Sequence, residues 1–277
     1  MEKKYGKTIL EIDKLSLVTS VVALGYVVAQ FLETQSRMVK LILFGSPLHF
    51  WVDSQTIMIL VVTASVISGT DMMIRSHVLF KDDHRNMRPY YHCIGPMLTV
   101  VIMGIVLDSW PMGTTWLVGL LCGMAFLTLV LITEYRAIEL PVFHSVRIRL
   151  LAVYYPIGLL WLFWLVNIQV RAAISAIAAM IVIGLLSFRF LHAYGLSDSR
   201  SARNGFVIGL IIGELVWVTG YLALSPIVVI ISLLLVLHIS IGIIRNVSEM
   251  VNQTHSIVEY SLITIVVVSA LVMLQIV

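Results

Sequence analysis

Glu214 is a carboxyl group set in a long apolar stretch, GFVIGLIIGELVWVTGYLAL, from Gly205 to Leu224. Near the middle of a membrane span a charged carboxylate is expensive, so the group is expected to be protonated or paired and to face protein or trapped water. Its chemistry would then be proton relay or solute binding. Its plainer role is a neutral hydrogen bond to a neighbouring helix. His238, in LLLVLHISIG, offers a partner. At 1.5 Å per residue Glu214 lies about 15 Å past Asn204, and His238 about 10 Å before Arg245. With a tight turn at Ser225-Pro226, a Glu214–His238 pair across the hairpin is feasible if both face inward. A lone histidine on an apolar helix more often simply packs.

A second group of polar residues sits at the ends of apolar runs. Asp71 and Arg75 are four apart, the spacing of a local ion pair on one helix face. Glu134, Arg136 and Glu139 close another run, and His92 opens a third. Together they could rim a polar mouth on the cytoplasmic side. Snorkelling to the interface would satisfy them just as well. Gly205, Gly209 and Gly213, four apart, put a smooth stripe on a helix and let a neighbouring backbone approach.

Several chemistries are excluded. Cys93 and Cys122 form no CxxC pair and read as packing residues. Asp198-Ser-Arg-Ser-Ala202-Arg203 with Gly213 matches only the start of the phosphatidyltransferase signature. The first glycine is Ser199, the later glycine is displaced, and the metal-holding aspartates are missing, so no metal site is expected. There is no phosphate-binding glycine loop with lysine and no HExxH. No cofactor and no nucleic-acid partner are implied.

The elements that must position these residues are membrane helices. The 277 residues are 60% hydrophobic and 12% charged, about half the charged fraction of soluble domains, with a mean hydropathy of +1.01. No polar stretch is long enough for a soluble domain of ~50 residues. The expected fold is all-α: a polytopic transmembrane bundle forming one domain over 1–277. Spans are expected at 15–32, 55–74, 92–108, 112–133, 150–168, 172–190, 205–224, 226–245 and 260–277. The first reads as a retained helix, being long for a signal peptide and followed by no cleavage site. With nine helices and the N-terminus inside, 15 of the 18 basic residues fall on the cytoplasmic side, as the positive-inside rule requires, and the C-terminus lies outside. The tryptophans Trp51, Trp110, Trp116, Trp161, Trp164 and Trp217 fall toward the outer side, where an aromatic belt would stand. Met38–Trp51, broken by Gly45-Ser46-Pro47, is too short to span and reads as an interfacial or re-entrant piece, or a greasy loop. Pro156 should kink its helix.

Gly45-Ser46-Pro47-Leu48, Gly69-Thr70-Asp71 and Glu134-Tyr135 resemble short motifs of an uncharacterised bacterial family of multi-pass integral membrane proteins. The resemblance covers the first half of the chain and implies a bacterial cytoplasmic membrane, with no activity to carry over.

Three functions fit these residues. A structural or accessory protein would pack through the glycine stripe with itself or a larger membrane complex. That reading suits the short loops and the missing catalytic motifs. A small-solute or proton-coupled transporter would use Glu214 and His238. A lipid-modifying enzyme would use the rim of Asp71, Arg75, His92, Glu134 and Arg136.

Overall fold

The computed structural model describes residues 12–32, 37–43, 46–77, 89–138, 144–168, 172–222 and 224–249. Its helices are α1 (Ile12–Phe31), α2 (Ser54–Arg75), α3 (Ile94–Asp108), α4 (Thr114–Ala137), α5 (His144–Asn167), α6 (Ala172–Ala193), α7 (Asp198–Thr219) and α8 (Pro226–Glu249). A 3₁₀ turn, Pro89–Cys93, leads into α3. Among the described residues eight helical stretches are long and apolar enough to cross a membrane, α3 only together with its 3₁₀ turn, as Tyr90–Asp108. The ninth expected span, 260–277, and the orientation of the termini lie outside the described residues.

The sequence pattern suggests one membrane domain over 1–277; the packing divides the chain into two compact units, Met1–Pro141 and Val142–Val277. In the first unit α1 packs on α2, α2 on α3, α3 on α4 and α4 back on α1. The second repeats the pattern, with α5 on α6, α6 on α7, α7 on α8 and α8 back on α5. Each is therefore an up-and-down four-helix bundle, the arrangement that short connections between long helices impose.

Val22, Val66, Val100, Leu127 and Leu131 fill the first core, and Tyr26 reaches across it to donate to the Val100 carbonyl. Leu150, Tyr154, Leu162, Ile183, Leu186 and Ile212 fill the second. The outer faces stay apolar: Leu17, Leu24 and Phe31 on α1 and Phe206, Leu210 and Val218 on α7 are exposed. That suits a lipid solvent, in which an apolar outer face costs nothing.

Local chemistry sets the boundaries. Asp53 caps α2, its carboxylate accepting from Thr56 N at 2.8 Å and Thr56 Oγ1 at 2.7 Å. The carboxyl lies below the usual aspartate range, chiefly because the Thr56 backbone N–H stabilises its charge. After α6 the chain turns at Gly195, with φ +85°. Gly195 N donates to His192 O, and Leu196 N to Leu191 O. A Cβ at that φ would be strained, which is why glycine closes the helix.

The strands Arg37–Leu43 (β1) and Ser46–Val52 (β2), which take in most of Met38–Trp51, pair antiparallel in the register Arg37↔Val52 through Leu43↔Ser46, a form that an interfacial or re-entrant piece can take. Val, Ile, Leu, Phe and Trp on both arms favour extended pairing. Two expectations are corrected. The helix expected over 205–224 runs instead from Asp198 to Thr219, since Ser197 ends the preceding turn and Asp198 suits a first helical turn. Trp116 and Trp161 are buried in the cores rather than standing in a belt.

Candidate polar centre of the first unit

The last turn of α2, the 3₁₀ turn before α3 and the last turn of α4 each carry polar residues, and an up-and-down bundle brings those three ends together. His92 Nδ1 lies 2.7 Å from Glu134 Oε2. The imidazole is almost fully enclosed and the carboxyl completely so. The Tyr91 ring lies tilted beside His92 with ring centroids 4.5 Å apart, and buried His77 meets Tyr135 edge-on at 4.7 Å. Cys93 points its thiol at the Ile67 carbonyl, 3.7 Å away. Two imidazoles, two phenols and a carboxyl are thereby gathered inside an apolar bundle. Arg75 Nε donates to Asp71 Oδ2 at 2.7 Å on the exposed side of the same helix end. Arg136 is exposed, and Glu139 lies outside the described residues.

An imidazole and a carboxyl at hydrogen-bond distance share one proton between them, the chemistry from which a proton relay can be built. Among the described residues, no group of three or more His, Cys, Asp or Glu is placed to hold a metal.

A family model described as "Protein of unknown function (DUF5656)" matches residues 34–274. The chain belongs to the DUF5656 family. No curated protein and no solved structure matches it. The DUF5656 match takes in every described element from β1 to α8, and with them His92 and Glu134; α1 precedes it.

In the second unit of this DUF5656 chain, Glu214 is exposed on α7. With the helix ending at Thr219, Glu214 is about 8 Å from that end, whereas His238 is about 18 Å from the Pro226 end of α8. An offset in depth of about 10 Å, by the same rise per residue, keeps the two apart. The Glu214–His238 pair is not formed. His238 instead lies 2.8 Å from the Tyr155 hydroxyl on α5. Glu214 sits one turn from Trp217, whose indole N–H donates to Tyr221 Oη at 3.1 Å. Such neighbours belong to an interface, where a carboxyl can reach water.

The glycine stripe lies against α6. A Cβ on Gly205 would come within 2.8 Å of Phe188 N, and one on Gly213 within 2.8 Å of the Ala176 carbonyl. One on Gly209 would collide with the Met180 carbonyl and stand 2.9 Å from Gly184 Cα. The stripe is thus filled by the chain itself, which corrects its assignment to a partner protein.

Sequence reasoning missed the pairing of His92 with Glu134, the ring contacts of His77 and Tyr91, and the burial of Arg189. Only the position of these residues at the ends of apolar runs hinted at any of them.

Proposed function

We propose that this protein moves a small solute together with protons across a bacterial cytoplasmic membrane, with His92 and Glu134 as the proton-carrying pair. It would thread the bilayer nine times, N-terminus inside and C-terminus outside, counting 260–277 as the last span. The observation that carries this reading is the burial of an imidazole–carboxyl pair inside an apolar bundle. Such pairs are poor stabilisers, because well-packed apolar side chains of similar size do as well or better. Inside a membrane span, ionisable groups mark ion and proton paths by default.

In operation Glu134 would hold the imidazole through Nδ1. Protonation of His92 from one side would create an ion pair with Glu134, and release of that proton would restore the neutral imidazole. A solute gated by that change would travel with the proton.

Proteoliposomes carrying the full chain and an internal pH-sensitive dye test this. An imposed pH gradient should decay faster than in empty vesicles, and His92→Gln and Glu134→Gln should each remove the increment while leaving helicity unchanged. Equal decay in all three proteins excludes the reading. Turnover of lipid headgroups in the same vesicles, lost in both variants, would assign the pair to lipid chemistry instead.

A structural or accessory role, as a homo-oligomer or part of a membrane complex, is the second reading. The exposed Glu214 carboxyl favours it, since a carboxyl on an apolar helix is a ready hydrogen-bonding point for a neighbouring chain. Loss of a co-purifying partner, or of self-association, on Glu214→Ala would support it.

A further inference from the structure

We propose that the groove where α3 turns into α4 seats a membrane phospholipid, with one acyl chain along its floor and the ester and phosphate oxygens at its mouth. The groove holds about 460 Å³, bounded by Trp110 and Pro111 of the turn and, on α4, by Thr114, Thr115, Val118, Gly119 and Cys122. Sites for small molecules fall in that range of volume. Thr114, Val118 and Cys122 are spaced four apart and so line one face of α4, over about 12 Å at the helical rise. Gly119 sets the width. A Cβ there would stand 2.5 Å from Trp110 Cζ3 and 3.4 Å from Leu107 Cδ2, so the missing side chain lets the indole lie back along α4 as the far wall.

The lining changes character along its length. At the mouth, the exposed Thr114 and Thr115 stand in the first turn of α4. Gly113, just before it, brings no side chain to cap that turn, and a helix start leaves its first N–H groups without partners in the helix. Such a start favours oxygens that carry negative charge. A turn further in, Val118, Gly119 and Cys122 offer hydrocarbon and one thiol. Val118 and Cys122 are exposed on a helix of membrane length, so what meets them is the bilayer rather than water. A wholly apolar occupant would leave the hydroxyls and N–H groups facing hydrocarbon, where unmet polar groups are expensive. A soluble anion would leave the apolar floor bare. A phospholipid carries anionic and ester oxygens above a hydrocarbon chain, the order in which this groove presents their partners.

Cys122 reports on the groove directly, since its thiol is exposed while Cys93 is buried. The test follows alkylation by N-ethylmaleimide in the full-length protein, exchanged into lipid-free mild detergent and titrated with phosphatidylcholine, hexadecane or sodium phosphate. At roughly ten times its Kd, phosphatidylcholine should slow Cys122 about tenfold, because only the empty groove reacts. Hexadecane should protect far less, and sodium phosphate not at all. In a Cys122→Ser background, Leu121→Cys puts an exposed thiol at the neighbouring position of the same helix, outside the groove, and its rate should not change. Thr114→Val/Thr115→Val should weaken the apparent phosphatidylcholine affinity about tenfold, the loss of one net hydrogen bond; if that variant does not fold, the comparison with hexadecane decides. An unchanged Cys122 rate, or equal slowing at Leu121→Cys, overturns the proposal. So does equal protection by hexadecane, or an unweakened affinity in the threonine variant. Protection that rises with protein concentration in the absence of lipid also overturns it, and assigns the groove to a second copy of the chain.

Discussion

Gly209 of α7 crosses Gly184 of α6 so closely that a Cβ on Gly209 would stand 2.9 Å from the Gly184 Cα and 3.0 Å from its amide nitrogen. The obstacles are backbone atoms, which cannot rotate aside. Gly209→Ala should therefore force the helices apart and cost about 1–3 kcal/mol, the usual scale of overpacking. Gly158→Ala is the control. Its Cβ would find only Leu186 Cδ1, at 3.5 Å, and alanine favours a helix interior by roughly 0.5–1 kcal/mol. Unfolding in detergent should rank Gly158→Ala at or above wild type and Gly209→Ala well below it.

The buried pair calls for a double-mutant cycle. Glu134→Leu alone, or His92→Leu alone, removes one member of the buried pair, and losing one partner of such a pair costs about 3–5 kcal/mol. The double variant His92→Leu/Glu134→Leu should recover most of that stability and still carry no proton flux. Recovery of both stability and flux would contradict a working role for the pair.

Asp53 offers a pH-dependent contribution outside the spans. Its carboxyl is held below its unfolded value, mainly by the Thr56 backbone N–H. A depressed pKa stabilises the folded state fully above the unfolded value of about 3.9, and that stability is lost as pH falls through the folded one. Asp53→Ala should cost about 1 kcal/mol at neutral pH, the ordinary value of an N-cap. Asp53→Asn should keep most of the cap and flatten the acid limb of the stability–pH curve. Unfolding between pH 3 and 7 reads both.

Tyr155 and His238 share one hydrogen bond, 2.8 Å long, between α5 and α8. Tyr155→Phe should cost on the order of 1 kcal/mol. Adding His238→Phe should cost less than the two single changes summed, because the second removes a partner already lost. Strict additivity in the unfolding data would mean the bond is not made.

Tags fused to the two ends should report from opposite faces of the membrane if the chain crosses it nine times. Reporters on one face would mean that 260–277 does not cross.

Most helices are legible in the residues because apolar runs of membrane length carry their own boundaries: α2 is expected over 55–74 and observed as Ser54–Arg75. The start of α7 is not. Asp198-Ser-Arg-Ser-Ala-Arg-Asn204 reads as a polar loop, yet those side chains simply extend a helix beyond its apolar part. Taking them for a loop puts Glu214 at mid-depth and makes a pair with His238 plausible. His92 and Glu134 are both recognisable as candidates, but 42 positions separate them. What joins them is the packing of α3 on α4, which no local pattern specifies. The glycine stripe is visible in the residues. Whether α6 or another protein fills it is not.

Because α6 and α7 touch through their main chains, they can neither slide nor part without losing the backbone-to-backbone fit along the stripe. Any swinging motion within the second bundle has to leave that welded pair intact and pivot elsewhere. Pro156, inside α5, takes one rung out of that helix's hydrogen-bond ladder, so the backbone there is held less tightly than along the welded pair.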